Sequence, residues 1–167
     1  MKWFAILGVS SLLVAGCSTL PPTLSESPPG DPTLRDVRGN ATDHQGMRVR
    51  WGGVIMSVEN EADKTWIQIL QKRLNGQGRP RDEQDSEGRF LMWTDGFLDP
   101  GIYAEGRRIT VFGEVNGQAE RTIGRRVLML PVIKALDHYL WKDYDRTLDY
   151  PYPIFNDPYS PYGYDYW

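Results

Sequence analysis

The sequence predicts an all-β domain, a small antiparallel barrel of five strands that is OB-like in layout, with a two-sheet sandwich as the rival arrangement. Three observations carry this expectation. Apolar and polar residues alternate with period two in five short runs between residues 47 and 132. Glycine-, proline- and asparagine-rich turns separate the runs. A glycine pair interrupts the first of them, the device by which a strand turns a barrel corner.

In the first run Met47, Val49 and Trp51 alternate with Arg48 and Arg50, and Val54, Met56 and Val58 resume after Gly52-Gly53, so the bend is expected at the glycines. A polar turn at 60–64 leads into a second strand at 65–70 with Thr65, Ile67 and Ile69 on one face, and the two pair as a hairpin. Residues 75–88, NGQGRPRDEQDSEG, hold almost no apolar group and read as an exposed loop. The third strand is expected at 89–94. Asp99-Pro100-Gly101 then fits a type II turn, because proline presets the first central φ and glycine permits a positive second one. A Glu105-Gly106 turn opens a fourth strand at 107–115, which Asn116-Gly117 closes as a type I′ hairpin turn. The fifth strand is expected at 125–132. The stretch VIKALDHYLW, 132–141, fits either a strand extension or a helical turn, since Ile133, Leu136 and Leu140 also keep helical spacing.

The flanks have different compositions. Met1 and Lys2 precede an apolar run of about 13 residues at 3–15, shorter than the roughly 20 that span a bilayer as a helix. That is the outline of a signal peptide. It ends in Leu13-Val14-Ala15-Gly16-Cys17, which resembles the lipobox of bacterial lipoproteins. The resemblance implies cleavage before Cys17, the chain's single cysteine, and acyl chains attached there. Ser18, rather than aspartate, in the next position implies sorting to the outer membrane. Residues 18–32 are proline-rich and polar and read as a tether that holds the domain off the lipid surface. The expected organisation is therefore a leader at 1–16, a lipid-anchored flexible tether at 17–46, a barrel at 47–141 and an aromatic Tyr/Pro-rich tail at 142–167. Prolines interleaved with tyrosines in the tail block regular secondary structure there.

Four stretches, VRWGGVI at 49–55, GRFLMWTDGFLDP at 88–100, GRRITVFGEV at 106–115 and PVIKALDHYLW at 131–141, resemble the Slp family of outer-membrane lipoproteins. Residues 127–130 and the tyrosine tail depart from that pattern. The resemblance implies an envelope lipoprotein connected with starvation or stress adaptation, and it brings no catalytic residue and no cofactor.

Charge and motif content point the same way. Loss of Lys2 with the leader leaves 18 basic against 22 acidic residues, a formal charge of −4, without the basic field that a nucleic-acid partner requires. His44 and His138 stand far apart with no HExxH and no second thiol, so no metal is expected. Asp82, Glu83, Asp85 and Glu87 break the EF-hand order and interleave with arginines, which marks a solvated mixed-charge loop. Asp95 and Asp99 could form a hydrolase pair, but aspartate beside proline more often caps a turn. No serine lies in a GxSxG elbow. The sequence thus predicts a non-enzymatic protein. Of three strand tryptophans, Trp51 shares a face with Met47 and Val49 and belongs in the core, whereas Trp66 and Trp93 alternate onto the opposite face and are the candidate ligand-binding residues. Expected partners are the membrane, through Cys17, and an envelope protein, glycan or lipid.

Overall fold

In the computed structural model, residues 20–142 are described; the leader, Cys17 and the tyrosine-rich tail lie outside them. Five strands, β1 (Arg48–Asn60), β2 (Lys64–Lys72), β3 (Arg89–Asp95), β4 (Arg108–Ile123) and β5 (Arg126–Leu140), close into a barrel in the order β1-β2-β3-β5-β4. This is the OB-like layout expected, with one correction. The barrel is closed by a parallel pairing of β3 with β5, through Leu91↔Val132 to Trp93↔Lys134, and only the other four seams are antiparallel.

The alternation of β2 is as read: Thr65, Ile67 and Ile69 are fully buried. Their inward faces meet Val49, Trp51, Phe90, Met92, Ile109, Val111 and Ile133 in one core. In β1 the change of phase occurs later than expected. Register with β2 runs unbroken from Gly52 to Ile55 and slips between Ile55 and Ser57, so Met56 is the extra residue. Ile55 points inward, where Val54 and Met56 had been expected. The glycines serve close approach instead. At Gly52 and Gly53 the strand pairs on both sides, with β2 and with β4. A Cβ on Gly53 would collide with the Leu70 carbonyl, and one on Gly52 would lie 2.8 Å from the Ile109 oxygen.

Two turns also differ from expectation. Asn116-Gly117 does not end β4: the strand continues to Ile123, and the pair produces a register slip between Val115 and Gln118, with Gly117 at φ +85°. The hairpin closes at Gly124-Arg125, glycine carrying φ +63° and no non-glycine among the described residues, Arg125 included, a positive φ, the sign pattern of a type II′ turn. Gly101 has no positive φ either, so Asp99-Pro100-Gly101 is not type II. The Asp99 carboxylate accepts from Gly101 N at 2.7 Å and its carbonyl from Ile102 N and Tyr103 N. The segment 132–141 settles as strand, with Leu136 the extra residue of a bulge at 49% exposure.

The largest departure is N-terminal. From Leu20 onward the expected tether is folded. Two short helices, α1 (Pro22–Ser25) and α2 (Leu34–Gly39), lie against the barrel with Leu24, Leu34 and Val37 fully buried, and Leu34, Val37 and Ala41 belong to the main core. Thr33 and Asp36 form a reciprocal capping box that starts α2. The Trp51 indole donates to Pro32 O at 3.0 Å, and Arg50 donates to Leu24 O at 2.9 Å. A segment too polar to fold alone thus folds by burying three apolar side chains against the finished barrel. The loop at 75–88 is likewise less exposed than expected, because Gly78 and Pro80 are buried.

Candidate binding face on strands two and three

Inward-facing Thr65, Ile67, Phe90 and Met92 oblige Trp66 on β2 and Leu91 and Trp93 on β3 to point outward. Antiparallel register sets Trp66 directly opposite Trp93, the closest cross-strand relation two side chains can have. Their ring centroids are 6.3 Å apart at 47°. Both predicted ligand-binding residues therefore belong to one patch, and both are half-buried.

The β4–β5 ribbon beyond the barrel explains the half-burial. Only Val132 to Lys134 of β5 pair with β3, so from Pro131 back to Arg126 the β5 backbone is paired with β4 and not with β3. Leu130, Val132, Ala119 and Ile123 pack with Leu91, Trp66 and Trp93 into a second apolar cluster on the outside of the barrel. Val127 and Met129, on the ribbon's other surface, are exposed by 58% and 50%, and Leu128, on the cluster's own face opposite Arg121, by 41%.

Among the described residues, three cations ring the tryptophans. Lys64 Nζ lies 5.2 Å from the Trp66 centroid and 5.9 Å from that of Trp93, Lys134 Nζ lies 5.2 Å from Trp93, and Arg121 Cζ lies 5.6 Å from Trp66. Lys64 and Arg121 have acids at their outer sides, Glu61 at 3.4 Å and Glu59 at 4.0 Å. Glu114, opposite Lys134 in the ladder, turns to Arg48 at 3.8 Å instead. The Trp93 indole reaches Asn116 Oδ1 at 3.4 Å, whereas the buried Trp66 Nε1 has no hydrogen-bond partner. The patch thus offers aromatic surface and local positive charge on an acidic protein. Such a surface suits an anionic ligand with an apolar or ring-shaped part.

The other candidates are dispersed. Asp99 is consumed in its turn, and Asp95 ends β3 opposite Lys64. His138, on β5, lies 2.9 Å from the Tyr103 hydroxyl, and burial holds its pKa below the ordinary value against the opposing pull of Asp137. His44 Nδ1 is 2.7 Å from Asn40 O behind α2. In the mixed-charge loop Asp82 meets Arg108, Glu83 meets Arg81 at 3.0 Å, and Glu87 accepts from Arg35 N at 3.2 Å. Among the described residues no three His, Cys, Asp or Glu side chains are grouped to hold a metal ion. No described helix is long and apolar enough to cross a membrane.

Comparison with known proteins adds the family. A model of the outer membrane lipoprotein Slp family matches residues 14–167. The chain belongs to that family. It is 29% identical to the uncharacterized lipoprotein YeaY of Escherichia coli (strain K12) over 95% of this chain and 84% of that one. It is 26% identical to the outer membrane protein Slp of the same organism over 89% and 86%. Among solved structures, a small single-stranded DNA-binding protein from Streptomyces coelicolor overlaps 57% of this chain and 94% of its own at 12% identity and a TM-score of 0.37. The barrel assignment rests on strand order and register alone.

Sequence reasoning found the tryptophans but not their cations. Lys64 was legible, two residues before Trp66 on the same strand face. Arg121 was hidden by the reading of Asn116-Gly117 as a chain reversal, and Lys134 by the undecided structure of 132–141.

Proposed function

We propose that the protein is a non-enzymatic lipoprotein, anchored in the outer membrane by acyl chains on Cys17 and facing the periplasm, that serves envelope maintenance or stress adaptation by binding. Its ligand is an anionic envelope component, a glycan or lipid headgroup or an acidic segment of an envelope protein. One observation carries this reading: Trp66 and Trp93 form a cation-ringed aromatic pair on the β2–β3 face, the wall on which OB barrels hold extended ligands. Family membership supports the location, and a net negative charge argues against nucleic acid.

The test is photocrosslinking in intact cells from an unnatural residue at Glu59, which adjoins Trp66 in the ladder. A defined adduct that disappears in the Trp66→Ala/Trp93→Ala variant, with the circular dichroism unchanged, supports the face as the site. An adduct pattern indifferent to both substitutions overturns it. Mass spectrometry of the adduct separates a protein partner from a glycan or lipid.

A further inference from the structure

The fold constrains how the protein meets the bilayer. Leu20 is 8% exposed and Leu24 fully buried, so the chain is already packed into the folded body at Leu20, three residues after Cys17. Successive Cα atoms are 3.8 Å apart, and three links reach at most about 11 Å in any conformation. A domain joined this closely to acyl chains cannot tumble freely above them.

The surface around that junction has the composition of a membrane interface. Leu20 packs at the loop of Gly78, with Leu20 Cδ2 3.2 Å from where a Gly78 Cβ would stand. Thr110 donates to Gly78 O at 2.6 Å and accepts from the Trp141 indole at 2.9 Å. Arg79 lies 5.7 Å from the Trp141 ring and donates to Lys142 O, and Tyr139 stands edge-on to Trp141 at 4.8 Å. The chain leaves the described residues at Lys142, on this same surface, toward 25 residues with eight tyrosines or phenylalanines and a final tryptophan. Half-buried Trp and Tyr beside Arg and Lys are the side chains that settle at the headgroup level.

We propose that this surface, formed by α1, the Gly78 loop and the end of β5, docks on the phospholipid surface that holds the acyl chains. The proposal rests on the reading of Cys17 as acylated and deepens it. It also orients the binding face. α1 packs on β4 and β5, and in a ring ordered β1-β2-β3-β5-β4 the strand opposite the β2–β3 seam is β4. Docking through the β4 side therefore turns Trp66 and Trp93 away from the bilayer and toward the periplasmic space.

The single cysteine allows a direct test on the mature chain, residues 17–167. Cys17 is coupled through maleimide to phosphatidylethanolamine in vesicles of phosphatidylethanolamine and phosphatidylglycerol. A donor dye is placed by unnatural amino acid either at Gln77, in the docking loop, or at Asp63, in the β1–β2 turn, and energy transfer is read to an acceptor on lipid headgroups. The roughly 30 Å that β1 covers between its Gly78-facing end and that turn predicts transfer from Gln77 about twofold or more above that from Asp63. Equal transfer, or the reverse order, overturns the docking. Because the assay imposes the attachment chemically, its outcome is independent of cellular processing. Mass spectrometry of Cys17 in protein extracted from cells tests the acylation separately, and a missing acyl group there overturns the anchor while leaving the vesicle result standing.

Discussion

The described residues form two apolar clusters that share a sheet and differ in almost everything else. The one inside the barrel is sealed: fourteen residues, most without solvent exposure, closed at one end by Leu34 and Val37 of α2 and flanked by Leu98 and Tyr103. The one outside has a nucleus of three buried residues, Leu91, Leu130 and Val132, with Trp66, Trp93, Ala119 and Ile123 half-buried around it. Inside, aromatic contact is structural: Trp51 meets Phe90 edge-to-face at 5.4 Å and spends its indole N–H on Pro32 O. Outside, the rings are faced by ammonium and guanidinium groups, and the Trp66 N–H is left unused. A protein of this size needs one sealed core to stand. A second cluster left partly open and charged at its rim adds little to stability, which makes it the place to look for binding.

The sharpest way to break the inner cluster is at Gly53. Valine there must displace the Leu70 backbone, since the colliding atoms are main-chain carbonyl atoms that cannot rotate away. The cost belongs at or beyond the top of the roughly 1–3 kcal/mol usual for overpacking, and thermal melts are expected to show a partly or wholly unfolded chain. Leu34→Ala comes next. It removes a fully buried side chain from the core and should cost about 2–5 kcal/mol, read as a lowered urea midpoint. A loss below about 1 kcal/mol, at the level of a surface substitution, would mean that α2 decorates the barrel and does not close it.

At the outer cluster the balance should reverse. Trp66→Ala removes a half-buried ring, and about 1–2 kcal/mol of stability is expected to go with it, less than for Leu34→Ala. The crosslink from Glu59, by contrast, should be abolished. Acrylamide quenching of single Trp→Phe variants sharpens the distinction: removing Trp66 or Trp93 should take away quenchable emission, and removing Trp51 should take away emission that acrylamide does not reach. Stability falling as far for Trp66→Ala as for Leu34→Ala would erase the difference between the clusters.

How far each cluster was legible in the sequence follows from the range of the forces that build it. Alternation is a local signal, and it located Ile67, Ile69 and Trp51 inside and Trp66 and Trp93 outside. Bulges shift that phase by one residue without any compositional mark, which is why Met56 and Leu136 were not anticipated. Asn116-Gly117 is the strongest short hairpin signal, yet its glycine accommodates a slip within a ladder that pairing across some fourteen residues of each strand sustains. The segment at 20–46 was misread for the complementary reason. Its few apolar residues, Leu24, Leu34 and Val37, cannot fold by themselves, and only the finished barrel supplies the surface that makes their burial worthwhile. The ring of cations depended on both errors being corrected, since Arg121 and Lys134 reach the tryptophans only along an extended β4 and β5.

The smallest expected effect concerns a polar group at the edge of the inner core. His138 lies on β5 with its ring 5.6 Å from that of Tyr103 and its Nε2 beside the Tyr103 hydroxyl. Burial disfavours the imidazolium more than neighbouring Asp137 favours it, so the folded pKa lies below the ordinary 6.5. The neutral ring is thus the form that the fold prefers, and the unfolded chain binds the proton more readily. Stability from this group is complete above about pH 6.5 and is lost as pH falls from there toward the folded pKa. Melting temperature should therefore drop on going from pH 7.5 to 5.5, by less than about 5 °C for a domain of this length. His138→Gln keeps a polar contact to Tyr103 without a titrating proton, and its melting temperature should lose that part of the pH dependence. An undiminished slope in the variant would assign the acid sensitivity to other groups and show His138 to be indifferent to its burial.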